Sequence, residues 1–264
     1  MHTMLNTPRR ARRARAARGF SIVELMVVIA IVAVLLGILI PVLASARAQA
    51  RTTVTLANLR QTGLTFERYL ARYSETYPFV EPGVRFSTHP DGEPATMSTT
   101  YPFQMRMFWP ALMHTVAPWR EHYRTWVNPG APVEPDEPWR PRSDGSGVIR
   151  VYTPSYLYSQ AFQARPRLFS PNPPSDANEL LALIRPVRSS DVTHPSSKAL
   201  LYDDKREYLP RPPTPSDPRG VLAADGSAAL RQDANAIDPV PNPLNGGQRL
   251  RYSDTPGGAG GRDW

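Results

Sequence analysis

A long apolar segment with one carboxylate near its start constrains this chain more than any other feature. Residues 25–40 are sixteen consecutive apolar residues, and the wider run over residues 20–44 is broken only by Ser21 and Glu24. A helix of this length can cross about 30 Å of hydrocarbon. Burying an ionised carboxylate in a membrane helix is costly unless the charge is paired. Glu24 therefore needs an explanation that a plain membrane anchor does not supply.

The segment that precedes this run, residues 1–19, is basic. It holds six arginines and no acid, whereas the rest of the chain has 25 Lys and Arg residues against 23 Asp and Glu residues. Positive charge retains the N-terminal side of a membrane helix in the cytoplasm. We therefore expect a single pass through the cytoplasmic (inner) membrane, with the N-terminus inside and the body outside. Because the basic charge lies largely in this leader, it does not indicate nucleic-acid binding.

Two ordinary explanations of the apolar segment are a cleaved secretory signal and a simple signal anchor. A secretory signal has an apolar core of about 7–15 residues that is followed by a small-residue cleavage site. Here the core is longer, and the Gly19–Phe20 junction comes before it. A simple anchor gives no reason for Glu24.

Residues 18–45 (RGFSIVELMVVIAIVAVLLGILIPVLAS) resemble the class III signal of type IV prepilins. The resemblance implies cleavage after Gly19 and N-methylation of Phe20, both by a prepilin peptidase/N-methyltransferase. It makes Glu24 the acidic residue at the fifth mature position, and Pro41 the proline that pilins often carry further along the helix. The implied partners are that enzyme, other pilin or pseudopilin subunits, an assembly platform protein and its ATPase.

The physical chemistry of the segment supports the same interpretation. Cleavage would give Phe20 a cationic amine, and Glu24 of one subunit can pair with that amine on a neighbour, which makes the buried charge tolerable. We therefore expect Glu24 to set the axial register between subunits. Pro41 removes a backbone hydrogen bond, and Gly37 weakens the same turn. This turn is either a simple kink or a segment that loses helix locally and lets a filament stretch.

The sequence after residue 44 turns polar but keeps a helical period. Apolar or small residues recur at Leu56, Leu59, Gly63, Phe66, Leu70 and Tyr73. This spacing predicts an amphipathic continuation of the helix over residues 45–77, ending near Pro78, with its stripe packed on the body. Arg60 and Arg68 are expected on the opposite face.

The globular body is predicted over residues 78–254, with a flexible Gly-rich tail over residues 255–264. The chain has no cysteine, and 28 of its 30 prolines follow residue 73, so loops, short strands and broken helices are expected. Helices are predicted at 102–118, interrupted near Pro110, and at 175–185. Strands are predicted at 148–152, at 199–203, and at 221–223 paired with 228–230 around Asp225-Gly226. The fold class is α+β: a long N-terminal helix, with a transmembrane half over residues 20–44, packed on a small antiparallel sheet.

The order of features in the body resembles that of pseudopilin-like proteins with a prepilin-type N-terminal domain, which are abundant in planctomycetes and verrucomicrobia. The matching segments, in chain order, are ANLRQTGLTFERYL, FQMRMFWPAL, PSYLYSQAF, HPSSKALLYDD and VLAADGSAALR. Two departures limit what the resemblance implies. Asn128-Pro129 stands where the family often has Cys-Pro, and no histidine precedes the Asp-Gly turn at the usual spacing.

No sequence motif indicates an enzyme or a dedicated metal site. The five histidines are scattered, and there is no nucleotide-binding or hydrolase motif. Asp203-Asp204, at a predicted strand end, is expected to be solvated. Asp233, Asn235 and Asp238 could offer oxygens to Ca²⁺, as in some pseudopilins, but the pattern lacks the Gly and closing Glu of an EF-hand loop. We expect no cofactor, with Ca²⁺ as the open alternative.

These features together predict a non-enzymatic structural subunit of a type IV pilus or a type II secretion pseudopilus. It would reside in the cytoplasmic membrane and then in a periplasmic pseudopilus or a cell-surface filament. The alternative is a membrane-anchored extracytoplasmic binding module that never polymerises. An extracytoplasmic enzyme on the same anchor is a third option. The mature N-terminus distinguishes the first two.

Overall fold

The computed structural model describes residues 20–87, 96–98, 103, 105–131 and 154–264. The chain divides into two compact units, Met1–Ala46 and Arg47–Trp264, and helix α1 (Ile22–Arg72) contributes residues to both. The α+β class is confirmed: one long N-terminal helix is combined with a four-stranded antiparallel sheet. The strand predicted at residues 148–152 lies outside the described residues.

The described part of the first unit is the N-terminal portion of α1, and its apolar side chains are uncovered. Phe20 is 71% exposed, and the large apolar residues over positions 22–43 are all at least 45% exposed. By length and composition α1 can span a membrane, and none of its apolar window is buried. A helix that is apolar on all sides and uncovered within its own chain requires lipid or other apolar helices around it.

In the second unit, α1 ends at Arg72, earlier than the predicted end near Pro78. Ser74 and Glu75 take positive φ angles of 51° and 58°. The Glu75 N–H donates to the Leu70 carbonyl oxygen at 2.8 Å, which closes the last turn. A left-handed C-cap with such a hydrogen bond ends a helix without needing a proline.

The buried face of α1 only partly matches the predicted stripe. It consists of Thr55, Leu59, Thr62, Gly63, Thr65, Phe66 and Tyr69. Tyr73, predicted to belong to the stripe, is 37% exposed, and its ring stacks on Tyr69 at 4.2 Å. The buried threonines were not expected. Thr62 and Thr65 are accommodated because their hydroxyls donate to the carbonyls four residues earlier, at 2.8 and 3.4 Å.

The remaining helices are short. Helix α2 (Met105–Leu112) runs through Pro110 and ends two residues after it, so the helix predicted at 102–118 is shorter than expected and does not resume within that range. Helix α3 (Trp119–Trp126) begins beyond residue 118 and was not predicted. Helix α4 (Ala177–Ala182) begins with Asp176 as its N-cap, and the Asp176 carboxylate accepts from the Glu179 N–H at 2.9 Å. The prediction of a capped helix within residues 175–185 is confirmed.

The strands in the described residues form two antiparallel sheets. Strands β1 (Arg85–Ser87) and β2 (Thr96–Ser98) pair with each other. The larger sheet has the sequential order β3-β4-β5-β6, with members Tyr156–Tyr158, Ala199–Asp203, Arg219–Ala223 and Ala228–Arg231. The predicted strand at 199–203 and the predicted hairpin around Asp225-Gly226 are confirmed as β4 and β5–β6. Strand β3 was not predicted.

Glycines allow α1 and the sheet to approach closely. A Cβ added to Gly220 on β5 would lie 2.9 Å from Leu59 Cδ1, and one added to Gly63 on α1 would lie 3.2 Å from Leu222 Cδ1. Both distances are shorter than ordinary carbon contacts. An aromatic core forms beside this contact, where the Phe66 ring lies 5.4 Å from that of Trp109.

Residues 255–264, expected to form a flexible tail, are instead part of the body. Asp263 is only 2% exposed, and its carboxylate lies 3.3 Å from the buried Lys198 ammonium. The same carboxylate accepts from the Ala199 N–H at 2.7 Å and from the Thr255 hydroxyl. The glycines that suggested disorder serve as turn residues, with Gly257 at a φ of 79°.

Candidate functional site

The start of α1 is held by reciprocal hydrogen bonds close to those of a capping box, with the hydroxyl bonded to the second helical residue instead of the third. Ser21 directly precedes the first helical residue, and its backbone N–H donates to Glu24 Oε2 at 2.9 Å. In return, the Ser21 hydroxyl accepts from the Val23 N–H at 3.3 Å. Reciprocal bonds of this kind satisfy N–H groups that have no partner inside the helix.

This capping box gives Glu24 a role that the sequence argument missed. The signal was available, because residues 21–24 read S-x-x-E, a capping-box pattern. The Glu24 carboxylate also lies in the first turn of α1, where the helix dipole favours negative charge. Glu24 therefore has two candidate roles: a cap within its own chain, and the predicted ion-pair partner of a neighbouring subunit.

The other residues singled out around this segment are distributed along α1. Gly19 lies outside the described residues, and Phe20, which follows it, is exposed. Helix α1 runs without interruption through Gly37 and Pro41. Nothing lies within 4 Å of a Cβ built on Gly37. The kink and the stretchable turn both stay predictions.

Arginines bind two of the three carboxylate and amide groups considered as Ca²⁺ ligands. Asp233–Asn235 forms a single turn of 3₁₀ helix. The Asp233 carboxylate accepts from Nε and Nη2 of Arg219 at 2.7 and 2.6 Å, and Asp238 accepts from Arg251 at 3.0 Å. Within the described ranges, no group of three or more His, Cys, Asp or Glu residues is placed to hold a metal ion. Guanidinium groups thus occupy oxygens that a Ca²⁺ ion would need.

The fold separates Asp203 from Asp204, which were expected together at a solvated strand edge. Asp204 is exposed, but Asp203, the last residue of the fully buried strand β4, is 0% exposed. Its Oδ1 accepts from Asn128 Nδ2 at 2.8 Å and from the Arg206 N–H at 3.0 Å. Burial raises the pKa of Asp203 to about 7, the two hydrogen bonds oppose this rise, and nearby Glu207 adds to it. Asn128 thus holds a buried carboxyl group.

Comparison with known proteins assigns only the N-terminal segment. A protein-family model described as the prokaryotic N-terminal methylation motif matches residues 14–40, which is 27 of the 264 residues. No curated protein and no solved structure matches the chain. The match supports a type IV pilin-like or pseudopilin subunit in general, a class that is usually structural and not enzymatic. Residues 14–40 thus carry the N-terminal methylation motif that is characteristic of type IV pilins and pseudopilins.

Proposed function

We propose that this protein is a structural subunit of a type IV pilus or a type II secretion pseudopilus. In this proposal it is cleaved after Gly19, N-methylated at Phe20, and assembled through the apolar half of α1. The observation that carries the proposal is the uncovered apolar part of α1, most of which lies within the matched residues 14–40. In a filament, neighbouring copies of the same helix replace lipid around that surface.

The proposal assigns a place and a set of partners to the subunit. Before assembly, α1 spans the cytoplasmic membrane with the basic residues 1–19 inside and the body outside. A prepilin peptidase/N-methyltransferase processes the N-terminus there. Sibling pilin or pseudopilin subunits, a platform protein and an ATPase then carry out the assembly.

The proposed role of Glu24 combines the capping box with subunit contact. Within one chain, its carboxylate accepts from the backbone N–H of Ser21, the residue next to Phe20. After cleavage, the amine of Phe20 would stand at the same end of the helix. During assembly we expect the Glu24 carboxylate to pair with the Phe20 amine of a neighbouring subunit, because an ion pair offsets the desolvation of both groups.

Mass spectrometry of the N-terminus in cells tests the processing step. We expect the purified protein to begin with N-methylated Phe20, and a Gly19→Val variant to keep residues 1–19 because the peptidase requires a small residue at that position. Gly37→Val is the matched control: its Cβ position is open, and it lies away from the junction. An intact Met1 in the wild-type protein would contradict the proposal and favour a non-polymerising anchored module.

Two substitutions at Glu24 separate its charge from its capping function. Glu24→Gln keeps an acceptor for the Ser21 N–H but carries no charge, whereas Glu24→Ala removes both. We expect both variants to be processed but to assemble poorly, as measured by the filament fraction sheared from cells or by cross-linking between subunits. Normal assembly of Glu24→Gln, with failure only of Glu24→Ala, would show that Glu24 acts as a helix cap and not as an ion-pair partner.

A further inference from the structure

A cavity of about 390 Å³ in the second unit is lined by an excess of positive charge. Among the described residues that line it, Asp204 and Asp233 are the carboxylates. The cationic residues in the same described lining are Arg106, Lys205, Arg219, Arg249 and Arg251. This excess is local, because residues 20–264 as a whole are nearly neutral, with 25 Lys and Arg residues against 23 acids.

Two of the five cations are held by partners and shape the wall of the cavity. Arg219 forms a two-pronged contact with Asp233 and lies over the ring of Tyr202, with 5.8 Å between Cζ and the ring centroid. Arg251 donates to Asp238 and to the Ala236 carbonyl oxygen, each at 3.0 Å. Their charges are largely neutralised at these contacts.

The other three cations are not neutralised in this way. Among the residues that the structure describes, Arg106, Lys205 and Arg249 form no close ion pair or side-chain hydrogen bond, although the charge of Arg106 acts on the nearby Asp254 carboxyl and lowers its pKa. Asp233 is already paired with arginines. Of the carboxylates in the described lining, this leaves Asp204 to balance the charges of Arg106, Lys205 and Arg249. Against Asp204 in the described lining and Asp254 near Arg106, these three cations still leave an excess of positive charge at the cavity, which creates a positive potential.

We propose that this cavity binds a small anionic ligand that carries a sulfate, phosphate or carboxylate group. Planar guanidinium groups match such oxyanions with paired hydrogen bonds. The volume lies near the lower end of the range of about 300–1,000 Å³ that is usual for small-molecule sites. Met107, Leu157 and Leu250 add an apolar wall, which suits a ligand with carbon surface beside its charged group. The proposal does not depend on filament formation.

Calorimetric titration of the full-length protein in a neutral polyoxyethylene detergent tests the proposal. The probes are inorganic sulfate, inorganic phosphate and glucuronate, with glucose as the neutral control. We expect at least one anion to bind with a stoichiometry of one, and glucose to give no signal. The anion that binds most tightly identifies the oxyanion class. If no anion binds, or if glucose binds as well as glucuronate, the proposal is wrong.

Matched variants locate the binding to the cavity. Lys205→Gln and Arg249→Gln each remove an exposed cation without a partner among the described residues, so the fold should be retained. Each is expected to weaken binding about tenfold, the equivalent of one charge-assisted hydrogen bond. Arg165→Gln removes an exposed arginine outside the cavity and should leave the affinity unchanged. Equal weakening by Arg165→Gln would show that net charge attracts the anion, and the cavity would have no specific role.

Discussion

Replacing Asp263 by alanine tests whether the buried Lys198–Asp263 pair holds residues 255–264 in the body. The substitution leaves the fully buried Lys198 ammonium without its carboxylate and removes the acceptor of the Ala199 N–H. Breaking a buried pair by removing one partner costs about 3–5 kcal/mol. In a domain of about 200 residues, 1 kcal/mol shifts Tm by roughly 2–4 °C. We therefore expect Tm to fall by about 6–20 °C.

Thermal unfolding in neutral detergent, followed by tryptophan fluorescence or near-ultraviolet circular dichroism, measures this loss. All five tryptophans lie beyond residue 108, so the signal reports on the body and not on the apolar part of α1. The matched control is Glu179→Ala, which breaks the ion pair with Arg167, where both side chains are largely exposed. An exposed pair contributes at most about 1 kcal/mol, so Tm should change little.

The pH dependence of Tm and a double variant test whether the unpaired Lys198 charge causes the loss of stability. Burial lowers the pKa of Lys198, and the Asp263 carboxylate opposes this shift, so the pKa falls further in the variant. A lysine whose pKa is lowered by folding destabilises the folded protein at any pH where the lysine is charged. The protein regains this stability as pH rises toward 10.5, the ordinary pKa of lysine. The deficit should therefore shrink in alkali, and adding Lys198→Met should restore most of the stability. A Tm within 2 °C of wild type, or no recovery in the double variant, would refute the reasoning.

Three further predictions concern the interior of the body. The pKa of Asp203 is raised to about 7 in the folded protein, so its contribution to stability is present below about pH 4 and is lost as pH rises to 7. In thermal melts, Asp203→Asn should therefore be less stable than wild type at about pH 4 and at least as stable at about pH 8. Gly220→Val should lower Tm by several degrees, because its Cβ would lie 2.9 Å from Leu59 Cδ1, and the additional Leu59→Ala substitution should relieve part of this loss. Phe66→Ala should cost about 3–5 kcal/mol in chemical unfolding, because the ring is 1% exposed and packs on other aromatic rings.

The parts of the fold that could be read from the sequence are those set by neighbouring residues. The length and period of the apolar positions predicted α1, and Asp225-Gly226 predicted the β5–β6 hairpin. In that turn Gly226 takes a φ of 81°, and the Ala223 N–H donates to the Ser227 carbonyl oxygen. The capping contact at residues 21–24 is equally local, because S-x-x-E is a sequence pattern of helix starts.

The features that could not be predicted depend on partners far away in the chain. Asp203 is buried because Asn128, 75 residues earlier, supplies a hydrogen bond. Asp263 is held by Lys198, 65 residues before it, so local glycine content gave a misleading indication of disorder. Strand β3 has only three residues, all buried, and therefore shows no alternation of polar and apolar positions. The cationic cavity draws its lining residues from several separate segments between Arg106 and Arg251.

The packing of α1 against the last two strands of the sheet also has a consequence for how the body is made. Leu59 meets Gly220, and Arg60 donates to the carbonyl oxygen of Ala228, 168 residues later. At about 5–20 residues per second, a ribosome needs on the order of ten to thirty seconds to produce the strands that cover this helix. Contacts between such distant residues also slow folding itself. During that interval the apolar face around Leu59 and Phe66 has no native cover. The newly made chain therefore passes through an aggregation-prone intermediate that persists at least until these strands are translated.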